Sequence, residues 1–348
     1  MELVSTLFPR YLSSGLPERV VFKAMSEGAT ATIDVVTDGA VFFSTKLSAF
    51  GYYLELADLR EIVESYMEEE GARLANLVLR MAEPGGIYTS DPIEVIYSKV
   101  KIEKMDEFLK KSFLTSRTHF RISRKGKQLL HWFAEKDTPI ESYVDVVTEG
   151  DDGKVNVSRL QQATLYVSST DVWTEEIKVE DVQANYIDRV MAFTVHRGKQ
   201  RSMTFYVDDE LPNLTLIFRN AFGSDEIAEI HGVSTRKQEV DRSEAKVLHR
   251  SLQYDQSEEY TTEVETAALT YEESLWYQQL FASKKIAILR PQNTSQNILI
   301  TESTSETSDG NDDTIHAKFT YKLVDDREAM DYNTPTQIFT EHYQAQFT

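Results

Sequence analysis

The chain has 348 residues, with 57 acidic and 37 basic side chains, a formal net charge of −20 and no cysteine. The acidic excess argues against a nucleic-acid partner, whose phosphates would be repelled. The missing cysteine excludes disulfides, thiolate metal sites and a cysteine nucleophile.

Apolar residues at 41% and aromatics at 11% suffice for packed cores, and the length predicts two or three domains. The opening MELVSTLFPRYL lacks a basic and then apolar run, so no secretion signal is expected. No apolar run is long enough for a membrane span, so no membrane insertion is expected.

The first unit, residues 1–83, reads as a β-rich domain with one helix. Ile33 and Val35, then Val41 and Phe43, flank Asp38-Gly39, a strong hairpin signal. Asp58 to Glu70 is an amphipathic helix with Leu59, Ile62, Val63, Tyr66 and Met67 on one face. Asp58 with Glu61 predicts a capping box, and Gly71 the stop. Leu74 to Met81 returns as a strand, and Glu83-Pro84-Gly85-Gly86 reads as a linker.

Residues 84–210 read as a β-sandwich built from hairpins. Phe120 and Ile122 are expected to pair with Leu129, His131 and Phe133 through Arg124-Lys125-Gly126-Lys127. Tyr143–Val147 is expected against Val155–Val157, and Val190–Val195 against Met203–Val207 through Arg197-Gly198-Lys199-Gln200. Lys101 to Leu114 is ambiguous between a short helix and a continued strand.

Residues 211–348 read as a third β-rich domain with one helix and an extended C-terminal tail. Leu214, Leu216 and Phe218 alternate with polar neighbours and stop at the Asn220–Gly223 turn. Strands are expected at Ile227–Val233, Val247–Gln253 and Tyr260–Thr266. Thr270 with Glu273 predicts a capped helix whose buried face is Leu275, Trp276, Leu280 and Phe281. Thr301–Asp313, TESTSETSDGNDD, reads as a solvated acidic loop, and its Asp309, Asn311 and Asp313 lack the glycine and glutamate of a calcium loop.

The expected fold class is therefore mainly β, with multiple β-sandwich (Ig-like) modules and two short inserted α-helices. No catalytic, cofactor-binding or metal motif stands out. The seven histidines are scattered, with no pair at metal-helix spacing, and there is no phosphate-binding glycine loop. A glycosidase needs only two convergent carboxylates, and no stretch singles out such a pair.

Two basic turns in an acidic chain stand out. Alone, each reads as a solvated turn; together, Arg124, Lys125, Lys127, Arg197, Lys199 and Arg201 are expected to meet an acidic face of a neighbouring copy. Phe218, Arg219, Asn220 and Phe222 read equally as a strand end with one stray aromatic or as an interface anchor, since Phe and Arg are enriched in contact cores.

TFYVDDELPNLTLIFRNAFGSDE, Tyr254-Asp255-Gln256 and EVETAALTYEE entering the second helix resemble tail-associated structural proteins. These belong to tailed phages and prophages of Bacteroidetes-type bacteria. LELADLREIVESYMEEE fits the same order, and the acidic loop at Thr301–Asp313 departs from it.

The resemblance implies a subunit of the distal tail or baseplate that is not an enzyme and carries no cofactor. It would be made in the host cytoplasm, reside in the virion, and assemble with copies of itself and other tail proteins. The alternative is a β-sandwich module that binds a host glycan or receptor through Trp132, Trp173 or Trp276.

Overall fold

The computed structural model describes residues 1–247, 250–290, 294–305 and 315–324, and their side chains except those of 245–257. Residues 306–313 of the expected acidic loop and the expected tail at 336–347 lie outside the described residues, and Thr301–Ser305, expected as loop, is the end of a strand that pairs along Ala317–Leu323. The fold is mainly β, arranged in several sheets.

The first ten elements are β1 (Glu2–Leu3), β2 (Arg10–Leu12), β3 (Arg19–Lys23), β4 (Thr30–Thr37), β5 (Ala40–Ser48), β6 (Tyr53–Ala57), α1 (Leu59–Glu70), β7 (Leu74–Glu83), β8 (Gly86–Thr89) and β9 (Ile93–Ile96). β4 and β5 form the expected hairpin, with Thr37 opposite Ala40 and Asp38 and Gly39 both at positive φ. Helix α1 buries Leu59, Val63 and Met67, and Tyr66 stacks on Phe42 at 4.1 Å.

Gly71 ends α1 in the left-handed conformation as expected, but the Asp58 capping box does not form. Asp58 is itself left-handed, so its carboxylate is not in the extended geometry an N-cap uses. The carbonyl of Glu18 accepts the Leu59 N–H instead.

The expected linker at Pro84-Gly85 is also corrected. It is the tight turn between β7 and β8, with Glu83 opposite Gly86. β9 then pairs with β7, which carries the first sheet past residue 83.

The middle of the chain comprises α2 (Met105–Lys111), β10 (His119–Ser123), β11 (Lys127–Ala134), β12 (Pro139–Ile140), β13 (Ser142–Glu149), β14 (Val155–Gln161), β15 (Leu165–Tyr166), β16 (Asp171–Lys178), α3 (Val179–Gln183), β17 (Arg189–Arg197) and β18 (Arg201–Asp208). The β13–β14 and β17–β18 hairpins form as expected.

The expected hairpin at Arg124–Lys127 does not form. β10 pairs in parallel with β18, Ser123 opposite Asp208, while β11 pairs with β16. The turn therefore carries the chain from one sheet to another. Phe120 and Ile122 bury against Phe205 and the β17 residues, whereas Leu130 and Trp132 enter the same core from the β11–β16 ribbon. Gly126 is needed at this corner because a Cβ there would lie 2.3 Å from a Glu229 carboxylate oxygen.

The last part comprises β19 (Leu214–Arg219), β20 (Asp225–Ile230), β21 (Gly232–Val247), β22 (Arg250–Thr266), α4 (Tyr271–Ala282), β23 (Ile286–Leu289), β24 (Ser295–Ser305) and β25 (Ala317–Leu323). They form a seven-stranded sheet in the order β20-β19-β23-β24-β25-β22-β21.

The Thr270–Glu273 capping box is present in full. The buried face of α4 is Ser274, Trp276, Tyr277 and Leu280; Leu275, expected inside, is 42% exposed. Four helices are present among the described residues, where two were expected.

One apolar core runs from Phe113 to Tyr321 and so crosses the expected boundary at 210. Trp276 joins its two halves, edge-on to both Phe120 at 6.0 Å and Phe218 at 5.4 Å. A smaller cluster joins Leu12 and Ile96 of the first part to Leu109, Leu114 and Phe133 of the middle and Phe222 of the last.

Candidate functional site

A cleft of about 540 Å³ opens where α1, the segment after β9, the β19–β20 turn and the end of α4 meet. The helical period puts Glu68 on the outer face of α1, toward this cleft. There it accepts hydrogen bonds from Lys284 Nζ at 2.8 Å, Lys99 Nζ at 2.5 Å and the Tyr97 hydroxyl at 3.1 Å. The Lys284 and Lys99 bonds hold the carboxyl down at about 2, while burial and the Glu68 charge push the Tyr97 hydroxyl up.

Arg219 lines the same wall and donates through Nε to Asp225 at 3.1 Å. The cleft thus presents Lys99, Arg219, Lys284 and Lys285 around Glu68 and Glu69, a cationic recess in an acidic protein. Its chemistry suits holding an anionic or polar surface from another molecule.

Replacing Glu68 by glutamine is expected to lower stability at neutral pH by about 1 kcal/mol, a value reduced for solvent screening. Glu68 ionises lower in the folded chain than its ordinary 4.5. Its contribution is therefore present above 4.5 and lost as pH falls toward 2. Urea midpoints of both proteins should converge across that interval; a constant gap would refute the pairing.

Half of the expected docking residues are buried inside the chain. Phe218, Asn220, Phe222, Arg197 and Arg201 are each buried, which corrects their assignment to an exterior surface. Phe222 stacks on Phe108 at 5.4 Å. Asn220 uses its whole amide: Oδ1 accepts from Phe222 and Ser224 N–H, and Nδ2 donates to the Leu114 carbonyl and Glu226. Gly223 closes this turn at φ +67, where a Cβ would sit 2.7 Å from the Tyr97 ring.

The basic turns do not make one patch. They lie at opposite ends of β18, since Ser123 is opposite Asp208 and Arg197 opposite Arg201. That separates them by about 23 Å at ~3.3 Å per residue. Arg124 pairs with Asp209 at 2.5 Å, Lys127 with Glu176 at 2.6 Å and Arg197 with Glu175, whereas Lys125 and Lys199 are exposed. Of the tryptophans considered for a glycan platform, Trp132 and Trp276 are buried.

Glu226 is the polar residue that sequence reasoning missed. It is 1% exposed and accepts from Asn220 Nδ2 at 2.6 Å and Trp276 Nε1 at 2.5 Å. Its burial pushes its carboxyl up. Nothing local distinguishes it from Asp225 beside it, because its partners come from a turn and a distant helix.

Among the described residues, no group of three or more His, Asp or Glu side chains is placed to hold a metal ion. No described helix is long and apolar enough to cross a membrane. No protein-family model matches the chain, and comparison with curated proteins returns no match.

Proposed function

We propose that the chain is a structural subunit of a bacteriophage tail, of the distal-tail or baseplate kind, working by assembly contacts rather than by covalent chemistry. In this reading it assembles with copies of itself and with other tail proteins in the virion, and the middle sheets form an Ig-like sandwich that sets spacing.

The observation that carries the reading is the β21–β22 ribbon. Its antiparallel pairing runs from Gly232 opposite Thr266 to Val247 opposite Arg250, with one register shift between Ser243 and Glu244. Sixteen residues of β21 span about 50 Å at ~3.3 Å each. Among the described residues, a third strand meets the ribbon only at Thr262–Glu265, where β25 pairs with β22.

Beyond that point, from Lys237 to Glu239, the β21 side chains are exposed on both faces, and the free edge of β21 offers unpaired backbone groups. A two-stranded ribbon is marginal alone in water. An arm of this length is stabilised by lying on another subunit. Its charges, including Lys237 paired to Glu263 at 2.5 Å, disfavour indiscriminate pairing of such edges.

Deleting residues 237–261 and joining the stubs with an Asn-Gly turn should leave the circular-dichroism spectrum of the body intact. Mass measurement and negative-stain imaging should then show the intact protein forming oligomers and the shortened one only monomers. An intact protein that stays monomeric and is missing from purified particles would sink the proposal.

A further inference from the structure

A second cavity, about 230 Å³, lies between the end of α2, the end of β11 and the β17–β18 turn. We propose that it is a binding site for a small monocarboxylate, whose charged end pairs with the Arg201 guanidinium and whose apolar part rests on Leu109, Phe133 and Ile140.

Three arginines line the cavity, and two of them are already neutralised. Arg10 pairs with Glu94 at 2.7 Å and Glu135 at 2.8 Å, and Arg197 donates through Nε to Glu175 at 2.6 Å. Arg201 is different. It is 6% exposed and has no carboxylate partner among the described residues.

Its Nε donates to the Ser112 carbonyl at 2.9 Å, and its Nη2 to the carbonyls of Leu109 at 2.6 Å and Phe133 at 3.4 Å. Those acceptors are neutral, Nη1 has no protein hydrogen bond among the described residues, and Arg201 lines the cavity. Burial pulls the group down to about 10, so it stays charged at neutral pH. A buried cation without a counter-ion is costly, and an anion in this cavity relieves that cost.

A bland role accounts for only part of this geometry. Nε and Nη2 tie down the last carbonyls of α2, as a cation at a helix end does. Nη1 is not needed for that task. The rest of the wall indicates what it meets. Leu109, Phe133, Pro139 and Ile140 give an apolar lining, and exposed Lys110 adds a cation at the mouth. Asp106 lies one turn back on the same helix, and its charge disfavours a dianion. Together these favour a singly charged carboxylate with a small apolar body.

The test uses the full chain at pH 7.5, with benzoate as the probe and benzamide and inorganic phosphate as comparisons, followed by heteronuclear NMR titration. Benzoate should bind saturably and about tenfold or more tighter than benzamide, the worth of one charge-assisted hydrogen bond. Arg201→Gln should abolish that preference. Should this variant fail to fold, Lys110→Glu on the exposed mouth should weaken benzoate severalfold and leave benzamide unchanged. No saturable benzoate shift, equal binding of benzoate and benzamide, or phosphate binding tighter than benzoate would each overturn the assignment.

Discussion

Glu226→Ala is expected to destabilise the fold by about 3–5 kcal/mol, the range for removing one partner of a buried charged network. The carboxylate accepts from Asn220 and Trp276, and both donors lose their acceptor when it goes. Arg117, 4% exposed, also loses a compensating charge nearby, while its Nη2 keeps only a 3.5 Å contact to Glu273. Asn220 in turn fixes the turn that carries Phe222 into the junction of the three parts.

The loss should therefore reach beyond one site. It would appear as a lower urea midpoint and a change in Trp276 fluorescence. Glu226→Gln, which keeps one carbonyl oxygen, should lose less. An alanine variant with an unchanged midpoint would show that the network contributes little.

Acidification is expected to weaken the fold between pH 6.5 and 4 through His131. This imidazole is 4% exposed, and its Nε2 lies 2.7 Å from the Asp225 carbonyl. That carbonyl can only accept, so the proton sits on Nε2. Nδ1 is then the acceptor for Arg73 Nη1 at 3.0 Å and Thr174 Oγ1 at 2.9 Å.

Burial first, and the Arg73 charge with it, pull the group down to about 4 from its ordinary 6.5. Across this interval the unfolded chain binds the additional proton, so stability falls with pH. The full interval is worth about 3 kcal/mol. Buried Glu226 and Glu229 are pushed the other way and gain from acidification, so the comparison needs a reference. The difference in urea midpoint between the native chain and His131→Gln should shrink from pH 7 to 4. A difference that stays constant would show His131 titrating normally.

The sequence was informative where the signal is local. Thr270 and Glu273 form their capping box, Asp38-Gly39 turns its hairpin, and Arg197–Arg201 joins two strands that do pair. The similar turn at Arg124–Lys127 joins strands that do not, because the pairing of β10 is decided by Phe205, dozens of residues later. Alternation marked Tyr260–Thr266 of the β21–β22 ribbon but not residues 234–239, which meet water on both sides.

The candidate sites were less legible. Charge predicts exposure for Arg197 and Arg201, but a carboxylate from β16 and three carbonyls around α2 draw them inside. Glu68 looks like an ordinary outer-face helix residue until Lys99 and Lys284 arrive from other parts of the chain. Of Phe218, Arg219, Asn220 and Phe222, Arg219 lines the large cleft without being buried, and Asn220 reaches that cleft only from within.

The position of β25 sets an order of events during synthesis. It stands between β24 and β22, and among the described residues no other strand pairs the ribbon to the rest of the sheet. A growing polypeptide that has made Gly232–Thr266 therefore holds an unmoored arm until Ala317–Leu323 is translated. Seating of the arm and closure of the sheet become one late step.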